Sequence, residues 1–288
     1  MTAAGTNMGG NLRVPFDLSS ERRREAQSFS MSTEYVHLGL DGRRHNVESY
    51  ALRLQYAPKT SPAGTADQFT CSELQLRVDE GAPMSIPELK NLVYVFDPTS
   101  SAPLWGIPQE RFMSLTVGDT PLPFSVRYAS YINFIDFHSF NDILTRPIKR
   151  GRGIQGLTEI GQRIVHPLSF IEAPLSFGAE IGPGSTFRNG EVTLELKGVS
   201  VVDGAACAIV AYDAGESKLK MNTRDATGAE SVTEGGSHYK GDIHVDLATR
   251  WVRRATLDEY RTTETSTLAQ RQKTYEYTVR HILLHLIR

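Results

Sequence analysis

The sequence predicts a mainly β fold: an antiparallel meander forming a curved sheet or incomplete barrel, with a few short helices and a loop-rich central insertion. Apolar and polar residues alternate with period two over runs in 47–96 and again in 191–287, the mark of strands with one wet face. Short turn signals such as Asp203-Gly204 join those runs, as antiparallel hairpins require. The 288 residues, 40% hydrophobic and 22% charged with a net charge of -2, suffice for a large core and exclude wholesale disorder. No apolar run nears the ~18 residues of a transmembrane helix. The near-neutral charge argues against a dedicated nucleic-acid binder.

Residues 1–33 are polar and read as an N-terminal arm. Within it, residues 20–26 suit one short helix, and the run Arg22-Arg23-Arg24 suits a solvated face. The start lacks the basic and apolar segments of a secretory leader, which makes a cytoplasmic location the default expectation. Residues 34–288 then read as a single β-rich domain. Tyr50, Leu52, Leu54 and Tyr56 point one way and Arg53 and Gln55 the other; Leu74, Leu76 and Val78 repeat the pattern. Between them, residues 57–64 carry two prolines and a glycine and read as a loop. Ser85 and Glu88 have capping-box spacing around Pro87, which predicts one or two helical turns before a buried strand at 93–96.

An irregular insertion at about 98–190 follows, and it holds nine of the fourteen prolines. Its densest piece, 128–140, fits no single period. Tyr128, Tyr131, Phe134, Phe137 and Phe140 in that piece, with Trp251 further on, are the candidate ligand-binding residues. Residues 140–144 and 156–165 suit short helices. From 191 onward the alternation is clean. Val192, Leu194 and Leu196 lead to the Asp203-Gly204 hairpin and a strand at 205–212, with a short one at 218–221. Ile243, Val245 and Leu247 alternate with Asp242, His244 and Asp246, and the turn Ala248-Thr249-Arg250 leads into Trp251. In the final run, 273–287, Tyr275, Tyr277 and Val279 oppose Glu276, Thr278 and Arg280.

The strand-and-turn pattern of Gly190-Glu191-Val192-Thr193-Leu194, of Val202-Asp203-Gly204-Ala205 running on to Ile209, and of Gly241-Asp242-Ile243 running on to Trp251-Val252 resembles bacterial incomplete-barrel proteins of the periplasmic lipoprotein-carrier superfamily. The resemblance covers the C-terminal third and includes no catalytic signature. It implies a concave apolar face that holds a lipid or an acylated partner, and a periplasmic location.

The strongest polar cluster is Asp136 and His138 with Asn141 and Asp142 close by. On a strand, Asp-x-His shares one face, so the carboxylate would orient the imidazole for general-base work. His166 or Glu172 would complete such a site; otherwise His138 is simply satisfied by a neighbouring carboxylate. His281 and His285 would share a helix face, but on a strand they stand about 13 Å apart, too far for one metal. Ile282 also occupies the place where a zinc-protease motif needs glutamate. No metal and no cofactor are expected. His238 and His244 read as surface pairs. Gly151 to Gly156 spell Gly-x-Gly-x-x-Gly, but a basic turn precedes them instead of a strand, which argues against a dinucleotide site. Arg150 and Arg152 there suit an anion or an exposed loop. Cys71 and Cys207 read as two buried free thiols or as one disulfide joining the halves.

These features predict a non-catalytic binding or structural protein. Its curved sheet would hold a hydrophobic small molecule or lipid, or a partner chain, with terminal segments available for a larger assembly. The alternative is an enzyme of unrecognised type using Asp136 and His138.

Overall fold

The computed structural model describes residues 17–61, 64–97, 106–145, 153–166, 181–224, 228–267 and 272–287. The N-terminal run forms β1 (Gln27–Leu38), β2 (Arg44–Ser61), β3 (Gly64–Val78), β4 (Met84–Ser85) and β5 (Leu92–Phe96). The insertion contributes α1 (Gln109–Met113), a small ribbon of β6 (Thr116–Val117) and β7 (Thr120–Pro121), and α2 (Phe124–His138). Then come β8 (Arg163–His166), β9 (Thr186–Arg188), β10 (Val192–Val202), β11 (Ala205–Arg224), β12 (Glu230–Asp246), β13 (Val252–Thr267) and β14 (Gln272–Ile287).

One antiparallel sheet takes up nearly every strand, in the order β4-β3-β2-β1-β14-β13-β12-β11-β10-β8. β5 adds to β3 and β9 to β11, and the sheet does not close into a barrel. Among the described residues its largest sequence jump is the pairing of β1 with β14, from Ser28↔Ile287 to Leu38↔Tyr277. The first and last strands are therefore central ones. This corrects the reading of 1–33 as an arm: β1 begins at Gln27, and the segment before it is folded back and not helical. Leu18 is buried, and the Arg23 N–H donates to Thr249 O at 2.9 Å. The described terminal segments thus pack on their own domain, while residues 1–16 and Arg288 lie outside the described residues.

Other local expectations change for physical reasons. The loop expected at 57–64 is mostly ladder, with β2 and β3 paired from Ala57↔Gln68 to Ser61↔Gly64. Pairing of β2 with β1 stops at Tyr56, so Pro58 sits where one edge of β2 is open and a missing N–H is tolerated. The Ser85–Glu88 box does not form: the 3-10 turn Pro87–Leu89 has no side-chain cap, and Glu88 instead accepts from the Thr116 N–H and hydroxyl at 3.1 and 2.7 Å. The strand at 218–221 is the far end of the 20-residue β11. In place of a helix at 156–165 there is a 3-10 turn, Ile154–Gly156, followed by β8.

The largest departure is α2. Its 15 residues continue through the π-turn Ser139–Ile143 into a rod of 20 residues, where only short helices were expected. Tyr131, Phe134, Phe137 and Phe140 are at most 1% exposed, and each such burial is worth about 1.5–3 kcal/mol. Phe137 meets Phe29 and Phe69 of the sheet at 5.2 and 5.7 Å between ring centroids. Phe134 meets Phe112 of α1 at 4.9 Å. Within the rod, Ser130, Asn133 and Ser139 each donate to the carbonyl four residues back, at 2.8 to 2.9 Å. Such back-bonding satisfies these donors within the rod, and Asn133 Oδ1 also accepts from the Thr33 hydroxyl of β1 at 2.6 Å.

Cys71 on β3 and Cys207 on β11 are both free and buried, so the disulfide alternative falls. Burial pushes the Cys71 thiol up to about 12. No helix among the described residues is long and apolar enough to cross a membrane.

Candidate functional site

The phase of β14 sets up the site. Ile282, Leu284 and Leu286 are buried on the face towards the rod, and period two carries the same face back to Arg280 and Thr278, which are buried too. Tyr275 and Tyr277, on the opposite face, are 47% and 37% exposed. The strand is therefore apolar inward at one end and polar inward at the other. Its neighbours follow suit. On β13, Leu257 gives way to Glu259, Arg261, Thr263 and Thr265; on β12, Tyr239 gives way to Ser237 and Thr233.

The rod fills only the apolar end. Over the polar end a cleft of about 690 Å³ remains between α2 and strands β11 to β14, a size usual for small-molecule sites. Phe124, Tyr128, Ile132 and Ile135 of α2 form one wall, and Tyr212, Leu219, Tyr239 and Leu257 of the sheet form the other.

Arg280 stands at the boundary between the two ends. Its Nη1 donates to Asp136 Oδ2 of α2 at 2.6 Å, and its Nε lies 2.7 Å from Glu259 Oε2 of β13. Its guanidinium carbon lies 5.8 Å from the Tyr35 ring centroid. Burial pushes the Asp136 carboxyl up to about 6 against the pull of Arg280. Burial also acts to raise Glu259, but Arg280 and Arg261 outweigh it and hold that carboxyl below its usual range. Further out, the hydrogen bond between His37 Nδ1 and Glu276 Oε1, at 2.9 Å, leads the effects that bring Glu276 down to about 2. Glu48 accepts from the Tyr50 hydroxyl at 3.1 Å.

A second buried charge cluster lies at the filled end. Arg22 Nη2 donates to Asp142 Oδ1 at 3.0 Å and stands 3.6 Å from Asp67 Oδ2, with its guanidinium 3.7 Å from the Trp251 ring centroid. Asp142 also meets His138 Nδ1 at 2.6 Å, and His138 Nε2 meets the Tyr94 hydroxyl at 2.7 Å. Asp142 thus faces both Arg22 and one ring nitrogen of His138, and Tyr94 faces the other. The His138 ring stacks on Phe96 at 3.9 Å. This cluster joins the N-terminal segment, the rod and β3 to one another.

The structure does not bring Asp136 and His138 together. Two positions on a helix are separated by ~200°, so one faces Arg280 and the other Tyr94. The carboxylate that orients His138 is Asp142, from the same expected cluster. His166 Nε2 faces Ile143 O at 3.3 Å instead, and Glu172 lies outside the described residues. Of the six aromatic candidates, Tyr128 and Phe140 line the cleft. Tyr131, Phe134, Phe137 and Trp251 are fully packed in the core. Sequence reasoning missed Arg280, Glu259, Tyr212 and Tyr239, although the phase of Ile282, Leu284 and Leu286 carried backwards points to Arg280.

Three other histidines on strands have polar neighbours: His281 beside Asp258 at 2.5 Å, His238 beside Asp213 at 2.7 Å, and His244 beside Ser200 at 2.8 Å. Among the described residues no three metal-binding side chains converge. Gly151, Arg150 and Arg152 lie outside the described residues. No family model matches the chain, and no curated protein matches it.

Proposed function

We propose that the protein is a non-catalytic binding protein that takes one hydrophobic or amphipathic small molecule between α2 and the inner face of its curved sheet. The observation that carries this reading is the cleft itself, a 690 Å³ space with an apolar wall on each side and a charged, hydrogen-bonding end. Interiors are normally packed to crystal-like density. A gap of this size beside a fully packed aromatic rod supports a binding site over loose core. The strand pattern shared with the periplasmic lipoprotein-carrier superfamily supports the same reading. The test is native mass spectrometry of the purified chain, alone and after incubation with a small apolar fluorophore. One fluorophore per chain is expected, or a co-purified small molecule that leaves on unfolding. A chain that carries nothing and takes up nothing overturns the proposal.

Contact with a partner chain is a second reading, favoured by one observation. Tyr260, Tyr275 and Tyr277 share the outer face of β13 and β14, with Tyr260 the most exposed. Size-exclusion chromatography with Tyr260→Ser and Tyr277→Ser variants tests it, because a partner-dependent shift in elution would disappear in the variants.

A further inference from the structure

We infer that the cleft selects an amphipathic cation, an ammonium group on an apolar tail, over the matching anion. The inference rests on the binding-cleft reading above and specifies its ligand class. The carboxylates lining the cleft are Glu48, Asp136, Glu259 and Glu276, and the guanidinium groups facing them are Arg261 and Arg280. Lys220, at the rim, is turned to Glu234 at 2.8 Å. Arg280 has both its carboxylates within 2.7 Å, and Arg261 lies 3.6 Å from Glu276. Among the described residues no cation pairs with Glu48, whose contact is the Tyr50 hydroxyl.

A fatty-acid carboxylate entering this cleft would meet four carboxylates against two guanidinium groups, each of which already stands beside at least one of them. Desolvating it there would cost far more than it gains. An ammonium group instead answers the surplus negative charge. The rings of Tyr128, Tyr212 and Tyr239 on the two walls are of the kind that stabilise cations through their faces. The apolar walls take the tail.

Isothermal titration calorimetry at low ionic strength and near-neutral pH tests this with three probes that share one chain: decyltrimethylammonium, decanoate and decyl glucoside, each below its micelle concentration. The ammonium is expected to bind about tenfold more tightly than decanoate, with the neutral glucoside between them. Glu48→Gln and, independently, Glu276→Gln narrow the ratio of ammonium to decanoate by about threefold. Decanoate binding as tightly as the ammonium overturns the inference and leaves the binding cleft standing. Failure of all three probes to bind overturns the cleft reading, and the inference with it.

Discussion

Two guanidinium groups hold the helical rod to the sheet, Arg22 at the filled end of the inner face and Arg280 at the open end. Each lies between one carboxylate from the rod, Asp142 or Asp136, and one from the sheet, Asp67 or Glu259. Each has an aromatic ring beside it, Trp251 or Tyr35. Arg22 is roofed by its own chain, since the Trp251 indole donates to Arg23 O at 3.0 Å and Arg23 is tied in turn to Thr249. Arg280 borders the cleft. The difference arises within six residues of the rod, because the step from Asp136 to Asp142 turns ~240° on a helix and the π-turn falls inside it. The same chemical unit pins the rod where it is sealed and forms a charged floor where space is left beside it.

The largest expected effect separates the two. Arg22→Ala removes the guanidinium from between the buried Asp142 and Asp67, and urea denaturation should show a loss of about 3–5 kcal/mol. Arg280→Ala should cost less, about 1–2 kcal/mol, because the Asp136 carboxyl, raised to about 6, gives up its charge more readily. Equal losses would break the comparison. The pH dependence sharpens it. Burial raises the Asp136 carboxyl from 3.8 to about 6, so between those values the folded chain keeps a proton that the unfolded chain has released. Stability from this group therefore rises as pH falls from about 6 to about 4, and the Asp136→Asn variant should lack that slope. Glu276, held down at about 2 from 4.5, acts in the opposite sense: its contribution is present above 4.5 and is lost as pH falls towards 2. Denaturation midpoints of wild type and variant across this range check both signs. The smallest effect is Tyr277→Thr, on the outer face opposite Thr278, which should change stability by no more than about 0.5 kcal/mol. A larger loss would mean that the phase of β14 is reversed.

The sheet was legible because its strands each have one wet face. The turn at Asp203-Gly204, with φ of 49° and 77°, is the left-handed pair that its sequence announces. The rod was not legible, since it is buried on most sides. Besides its aromatics it hides Ser130, Asn133, Asp136 and His138, so it has no polar face to reveal a period of 3.6. The partners of those polar residues, Thr33, Arg280 and Tyr94, come from distant strands. Arg22 read as solvated for the same reason: Asp67, Asp142 and Trp251 reach it only through the fold. Half of the site was within reach. Tyr128 and Phe140 stood out as aromatics, but Arg280 looked like the wet side of its strand until Leu284 and Leu286 set the phase.

The central claim is that the rod fills one end of the inner face and leaves the other open to a ligand. The direct measurement is binding of a small apolar fluorophore to wild type and to Ala129→Trp, which puts an indole into the cleft from α2 without removing a core side chain. The account predicts one site per chain in wild type, no measurable binding in the variant, and a thermal midpoint in the variant at least as high as in wild type. Equal binding by a folded Ala129→Trp would contradict it.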